Sequence, residues 1–320
     1  MGNSNDKVLI IGPIPKNHGI GGVSIHVQRL LDFLDANAFP YSFADYKRTG
    51  LAKLNGSIRN ADFVHLHVSN PMFQLCLVVL CKLYGKKIVV TLHGNYGRFG
   101  RLKNLLVRIC IRLSTVPIVI NEKSFEVCRR FNKNTVLIPA FIPPQKEEDL
   151  QPEIVELLKR LRDEGMKIFS TNAYNISYDK KGNDIYGIDF LVQYFKYNGS
   201  AAVVISDPSG NYKKCYPDLQ SRSVYFIDYP HPYFELLKHV DYFVRNTSTD
   251  GDALSVKEAL YLGVPTLCTD VVDRPDGVRL FKYCDMESFE KAMITPVEGN
   301  NKIENGAGKI VGVYERLMKD

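Results

Sequence analysis

Short apolar runs alternate along this chain with stretches in which apolar residues recur every three or four positions. Short apolar runs bounded by glycine or proline are typical of buried parallel strands, and the longer spacing is typical of helices packed on a sheet. The runs lie at residues 7–12, 62–68, 87–92, 116–121, 135–139, 166–170, 203–206, 224–227, 240–244 and 264–268. This alternation predicts an α/β protein with two doubly wound, Rossmann-like domains.

One stretch shows the pattern most completely. A strand at 240–244 leads into a polar loop that carries Asp250, and a helix follows that Gly263 and Pro265 close. Glu258 lies on this helix, about two turns beyond the loop. The start of the helix offers unbonded backbone N–H groups and the positive end of its dipole, which suit a phosphate.

The acids of this stretch admit two interpretations. Carboxylates beside an anion site can accept hydrogen bonds from the hydroxyl groups of a nucleotide sugar. Alternatively, Asp250 and Asp252 only cap the helix, and Glu258 belongs to a solvated helix face. The spacing alone does not decide between the two.

A longer set of positions resembles the signature of retaining glycosyltransferases of family 4, which have the GT-B fold. In that signature an acid and a glutamate eight positions later precede Ala-Leu or Ala-Met, a Gly-x-Pro loop and a strand. The matching positions are Asp250, Glu258, Ala259, Leu260, Gly263, Val264 and Pro265, followed by Arg274, Pro275, Gly277 and Val278. The full string is similar to members found in bacterial capsule and O-antigen polysaccharide synthesis. The first acid is usually glutamate in that family and is aspartate here.

The resemblance implies two domains that face each other across a cleft, with a nucleoside-diphosphate sugar bound mainly by the second. It implies that Glu258 holds the ribose hydroxyls, and that Asp250 and His93, which follows the 87–92 strand, contact the donor sugar as catalytic residues. The positions implied at the donor phosphates are Gly21, Gly22, Asp252, Ala253 and Leu254. No metal and no other cofactor is expected. Gly21 and Gly22 could instead form only a tight turn, and His93 could be structural.

One part of the family pattern is missing from this chain. After the 166–170 strand, related chains carry an arginine and then a Lys-Gly pair that grip the diphosphate. Here Thr171-Asn172-Ala173 and Tyr186-Gly187 stand at those places. The residues that could compensate are Lys180, Lys181 and Arg245, since cations neutralise phosphate.

The chain is long enough for two domains. We place the first, acceptor-side domain at 1–145 and the donor-binding domain at 146–307, because a proline-rich, charged break begins near 141. The resemblance implies that a last helix, 308–320, packs back on the first domain. Residues 1–145 hold 19 basic and 7 acidic side chains, a net charge of +12, whereas the whole chain carries +6. The first domain should therefore face an anionic partner.

A basic amphipathic helix is predicted at 98–113. Its apolar stripe would comprise Leu102, Leu105, Leu106, Ile109 and Leu113, and its charge would come from Arg101, Lys103, Arg108 and Arg112. Such a helix can lie on an anionic membrane surface. It can equally be an ordinary helix whose stripe packs on the sheet. Few aromatic residues interrupt it, which argues against a nucleic-acid platform.

No apolar run is long enough to cross a membrane, and the first residues do not resemble a signal peptide. The seven cysteines are scattered and mostly apolar in context, which suits reduced thiols in the cytoplasm. Together with these features, the resemblance implies a cytoplasmic, retaining glycosyltransferase of hexosyl type, peripheral at the inner membrane face, that extends a glycan such as a polyprenyl-diphosphate-linked one. Two alternatives remain: a nucleotide-sugar epimerase of the same architecture, and a non-catalytic binding subunit.

Overall fold

The computed structural model describes residues 8–15, 22–250, 253–296 and 303–319. These form two compact units. The first comprises the chain up to Lys146 together with the segment from Glu304 onward, and the second comprises Glu147–Ile303.

The first unit is built on a six-stranded parallel sheet with the order β2-β1-β3-β4-β5-β6. Its strands are β1 Val8–Ile11, β2 Ser42–Ala44, β3 Phe63–Leu66, β4 Lys87–Leu92, β5 Val116–Val119 and β6 Val136–Leu137. Its first five helices are α1 Gly22–Ala36, α2 Leu51–Asn60, α3 Pro71–Leu83, α4 Arg101–Leu113 and α5 Glu122–Cys128. The four residues of β1 and those of β3 are all buried, as expected for central strands covered on both faces.

The second unit repeats this plan with the strand order β12-β11-β10-β7-β8-β9, also all parallel. Its strands are β7 Lys167–Asn172, β8 Ala201–Ser206, β9 Val224–Ile227, β10 Tyr242–Arg245, β11 Thr266–Thr269 and β12 Val278–Phe281. Its helices are α6 Pro152–Asp163, α7 Ile188–Phe195, α8 Asn211–Lys214, α9 Tyr233–Leu237, α10 Leu254–Tyr261 and α11 Met286–Ile294.

Each sheet has a point where the direction of strand addition reverses. In the first unit this point lies between β1 and β3, and in the second it lies between β7 and β10. In open α/β sheets, ligands bind outside the carboxyl ends of the strands that flank such a reversal. The topology therefore marks one candidate site in each unit before any side chain is considered.

The last helix, α12 Gly306–Lys319, belongs to the core of the first unit. Its buried apolar side chains are Ala307, Ile310, Val313, Tyr314 and Leu317. They pack with β1, β3 and α1, in the cluster that includes Val8, Phe63 and Leu30. Gly306 lies against the backbone of Pro139, and an added Cβ would lie 2.1 Å from the Pro139 oxygen. A side chain at this position would therefore displace the start of the helix.

Helix α4 buries a different stripe from the one predicted. Val107, Cys110 and Ile111 face the interior, whereas Leu102 and Leu105 are 72% and 40% exposed. The buried stripe differs from the predicted one because apolar residues occur on most of the helix circumference, and contacts with α3 and β4 select one of two overlapping stripes. The outward leucines accompany Arg101 and Lys103, which are also exposed.

Among the helices in the described ranges, none combines the length and the apolar character needed to cross a bilayer.

Candidate functional site

The site in the second unit centres on three charged side chains, Arg245, Asp250 and Arg274, which we call the arginine–aspartate cluster. Arg245, the last residue of β10, donates from Nε and Nη2 to the two Asp250 oxygens at 3.0 and 3.1 Å. Arg274 donates from Nη1 to Asp250 Oδ2 at 2.8 Å. All three side chains are almost fully removed from solvent. Two guanidinium groups against one carboxylate leave the cluster with a net positive charge.

The electrostatics of this cluster keep Asp250 ionised. Burial alone would raise the pKa of its carboxyl group, but hydrogen bonds and charge from Arg245 and then Arg274 outweigh burial and hold the pKa below its ordinary value. Burial lowers the pKa of the Arg245 guanidinium, but its hydrogen bonds and ion pair with Asp250 outweigh burial and raise the pKa.

Arg245 also reaches the end of β7, where the sequence lacks the arginine expected from the family pattern. Its Nη1 donates to the backbone oxygen of Asn172 at 3.1 Å, and its guanidinium lies 5.1 Å from the centre of the Tyr186 ring. A guanidinium from β10 thus stands beside the two positions, Asn172 and Tyr186, at which the sequence shows no cation. A motif read along the chain does not reveal that a cation from β10 lies where the family pattern has one after β7.

Helix α10 begins beside this cluster. Ala253 occupies its N-cap position and Leu254 is its first residue, and none of the described side chains bonds its first N–H groups. The helix therefore begins one residue later than a cap at Asp252 would place it. Asp252 itself lies outside the described residues. Glu258 lies four residues after Leu254, about one turn into this helix, and is buried.

A recess of about 530 Å³ adjoins the same loop. Lys180 and Lys181 line it together with Ser248, Thr249 and Tyr283. Asp179 also lines it, and hydrogen bonds, the largest from Asn183, lower the pKa of this carboxyl group to about 2. The recess therefore brings two ammonium groups and one carboxylate next to the acidic loop, in a setting that favours an anion.

The site in the first unit is a group of three imidazoles, His26, His67 and His93, which we call the histidine group. His67 follows β3, His93 follows β4, and His26 lies on α1. The His67 Nδ1 and His93 Nε2 atoms are 2.9 Å apart, and His26 packs against both rings with centroid distances of 5.3 and 4.9 Å. Burial, followed by the neighbouring histidines, lowers the pKa values of His67 and His93 well below their usual range, so both rings are neutral.

Two glycines predicted at the donor phosphates, Gly21 and Gly22, stand at the start of α1 in the sequence. Gly22 is the first residue of α1, and an added Cβ there would meet no atom of the described residues within 4 Å. Gly21 lies outside the described residues. Among the described residues, none therefore blocks the approach of a ligand to the backbone at Gly22.

Sequence reasoning missed two of the three imidazoles. The apolar run predicted at 62–68 contains His67, whereas β3 ends at Leu66, so His67 stands one residue past its strand, as His93 stands one residue past β4. The strand-end argument applied to His93 would have found it. His26 gave no such signal, because it is a buried position within the periodic pattern of α1.

Solved structures share this fold. The Anabaena protein HepE, in complex with UDP-glucose, matches 98% of this chain and 98% of its own with a TM-score of 0.61 at 12% identity. A glycosyltransferase from Rickettsia africae matches 99% and 100% with a TM-score of 0.64 at 11% identity. UDP-GlcNAc 2-epimerase from Methanocaldococcus jannaschii matches 97% and 99% with a TM-score of 0.59 at 12% identity.

These likenesses confirm the predicted GT-B fold, with two Rossmann-like domains. No protein-family model matches the sequence, and no curated protein matches it. Because transferases and an epimerase share the fold, the fold alone does not choose between the two activities.

Proposed function

We propose that this protein is a retaining glycosyltransferase that moves a hexosyl group from a nucleoside-diphosphate sugar to a glycan. The observation that carries the proposal is the second unit's site. A buried, net positive cluster, a helix start that no described side chain caps and a recess lined by two lysines lie together at the strand reversal between β7 and β10. The UDP-glucose bound to HepE and the resemblance of the 245–279 stretch point the same way.

In this proposal the donor lies with its diphosphate near the start of α10. The backbone N–H groups around Ala253 and Leu254 and the ammonium groups of Lys180 and Lys181 would stabilise the charge that develops as the diphosphate leaves. Glu258 would accept hydrogen bonds from the ribose hydroxyls. The chemical step would need no metal, because these cations and N–H groups perform the neutralisation.

The family resemblance assigns two residues to the donor sugar, Asp250 in the second unit and His93 in the first. Asp250 would meet a sugar hydroxyl with a carboxylate that Arg245 and Arg274 already hold, so it would position the two arginines as well as contact the donor. His93 would present a neutral imidazole, which can donate from one ring nitrogen and accept at the other.

Binding of nucleotide is the direct test of the donor site. A thermal-shift series with UDP, GDP, CDP, their common sugars and NAD, with and without EDTA, should show stabilisation by one nucleoside diphosphate. At 100 times the dissociation constant the gain is about 2.7 kcal/mol, which corresponds to a rise of roughly 5 °C or more in Tm. EDTA should leave the shift unchanged.

Glu258→Ala should weaken the binding of that nucleotide at least about 100-fold in calorimetric titration, since two charge-assisted hydrogen bonds are lost. Glu258→Gln, which keeps the size of the buried side chain, should bind the nucleotide with an affinity between those of the parent and Glu258→Ala. Glu290→Ala, at an exposed position on α11, should bind it as the parent does. Stabilisation by none of the nucleotides would contradict the proposal and favour a non-catalytic subunit, for which the missing Lys-Gly pair is the supporting observation.

For the acceptor side, we propose a glycan carried on a polyprenyl diphosphate in surface-polysaccharide synthesis, reached by cytoplasmic protein bound at the membrane surface through α4. Exposed Leu102 and Leu105 lie among basic residues, the combination that suits an anionic interface. Flotation with phosphatidylglycerol vesicles should detect binding, and Leu102→Ser with Leu105→Ser should reduce it about tenfold. Ile294→Ser, which changes an exposed apolar residue of the second unit, should not change it. Equal flotation of all variants would contradict a role for α4.

The alternative activity is epimerisation of a nucleotide sugar, which the likeness to the Methanocaldococcus jannaschii enzyme favours. The two activities separate when no acceptor is present. An epimerase would convert the stabilising nucleotide sugar to its epimer, visible by NMR, whereas a transferase would leave its configuration unchanged.

A further inference from the structure

The histidine group has the geometry of a metal-binding site. One nitrogen from each of His26, His67 and His93 lies within 4.8 Å of the other two. The three residues come from three separate elements that converge at the strand reversal of the first unit, where the backbone N–H of His67 donates to Ile11 O at 2.8 Å. Zn–N bonds of about 2.0–2.1 Å would place the nitrogens about 3.3 Å apart, so the group needs only a modest contraction.

His26 is already oriented in the manner of a metal ligand. Its Nδ1 lies 2.7 Å from the backbone oxygen of Ala140. A carbonyl oxygen only accepts, so Nδ1 carries the proton and Nε2 carries the lone pair. A ring N–H bonded to a backbone carbonyl is the usual support behind a metal-bound histidine, because it fixes both the tautomer and the ring orientation.

His67 holds a buried nitrogen that protein groups do not satisfy. Its side chain is fully buried, its Nδ1 pairs with His93 Nε2, and its Nε2 has no hydrogen-bond partner among the described residues. A buried polar atom without a partner costs about 1–3 kcal/mol. A cation bound at Nε2 would offset this cost.

The chemistry of the three side chains indicates which ions fit. All three side chains are imidazoles, and each offers one ring nitrogen to the group. Imidazole ligands suit Zn²⁺, Co²⁺, Ni²⁺ and Cu²⁺ rather than Mg²⁺ or Ca²⁺. Arg98, whose Nη1 donates to His93 O at 3.3 Å, is the nearby positive charge that opposes binding, and its exposure to solvent screens it.

We propose that His26, His67 and His93 bind one divalent transition-metal ion, with a fourth position open beside the half-buried His93. Three protein ligands with an open position are typical of sites that exchange a water or a small ligand. This site stands independently of the transferase proposal. If His93 also contacts the donor sugar, which rests on that proposal, ion and sugar compete for it.

Cobalt provides the test, because four-coordinate Co²⁺ with nitrogen ligands absorbs visible light. The full chain, prepared without a histidine tag and stripped with a chelator, is titrated with Co²⁺. We expect visible bands that saturate at one ion per chain and disappear when Zn²⁺ is added. His67→Gln and His93→Gln should each weaken Co²⁺ binding by more than about 100-fold, since loss of even an outer-shell partner costs 10–100-fold.

His239→Gln is the matched control, because it removes an exposed histidine of the second unit and should leave the titration unchanged. Circular dichroism of the metal-free variants separates loss of binding from loss of folding, and the half-buried His93 provides a milder change than His67. Absence of saturable bands in the parent protein would overturn the proposal, as would parent-like binding by the folded His93→Gln variant. Neither outcome depends on nucleotide binding.

Discussion

A chain that ends at Ile303 is expected to lose the fold of its first unit while the second unit stays folded. The deletion removes four large buried side chains, Ile310, Val313, Tyr314 and Leu317. At about 1.5–3 kcal/mol each, their burial contributes about 6–12 kcal/mol, which is comparable to the whole stability of a typical domain. Hydrogen exchange read by mass spectrometry should show β1 and β3 exchanging freely while β7 and β10 remain protected.

Two point variants on α12 show how much a buried and an exposed side chain of this helix contribute to the free energy of unfolding. Tyr314→Ala should cost about 3–5 kcal/mol, because the ring packs on Phe63 and its hydroxyl lies 2.6 Å from His65 Nδ1. Glu315→Ala, at an exposed position of the same helix, should change the free energy of unfolding by less than about 0.5 kcal/mol. Protection of β1 and β3 in the truncated chain would show that the first unit does not need α12.

Asp250→Ala is expected to destabilise the second unit by about 3–5 kcal/mol, measured by urea unfolding. The substitution leaves the guanidinium groups of Arg245 and Arg274 buried without the carboxylate that both contact, and an uncompensated buried charge has a cost of this size. Asp228→Ala, which breaks the partly exposed pair with Lys213, should cost no more than about 1 kcal/mol.

The stability of an Asp250 variant decides how its catalytic assay is interpreted. A loss of transfer activity in Asp250→Ala identifies a donor contact only where the variant is shown to be folded at the assay temperature. Equal stability of Asp250→Ala and the parent would mean that the cluster is not held as described, and activity could then be compared directly.

The fold was predictable because its determinants are local. Apolar runs such as 240–244 and 264–268 lie within a few residues of β10 and β11, and the periodic stretch between them is α10. The orientation of α4 was not predictable, because the choice between its two apolar stripes depends on α3 and β4 rather than on the helix itself.

The candidate site was predictable only in part, for a related reason. The family pattern pointed to the loop with Asp250, but the pairing of Arg274 with Asp250 spans 24 residues and leaves no periodic signal. The sequence showed no cation at Asn172 and Tyr186, and the structure places Arg245 beside both because β10 and β7 are neighbours in the sheet. Which residues meet across strands is set by sheet order, which spacing along the chain does not reveal.

The position of α12 also has a consequence for synthesis on the ribosome. The second unit is continuous in sequence, whereas the core of the first unit is completed only by residues made after the second unit. At 5–20 residues per second, the roughly 160 residues of the second unit delay that completion by about 10–30 s. The unit that emerges first therefore finishes folding last, and during the wait the face of its sheet that receives α12 is exposed to chaperones and to other nascent chains.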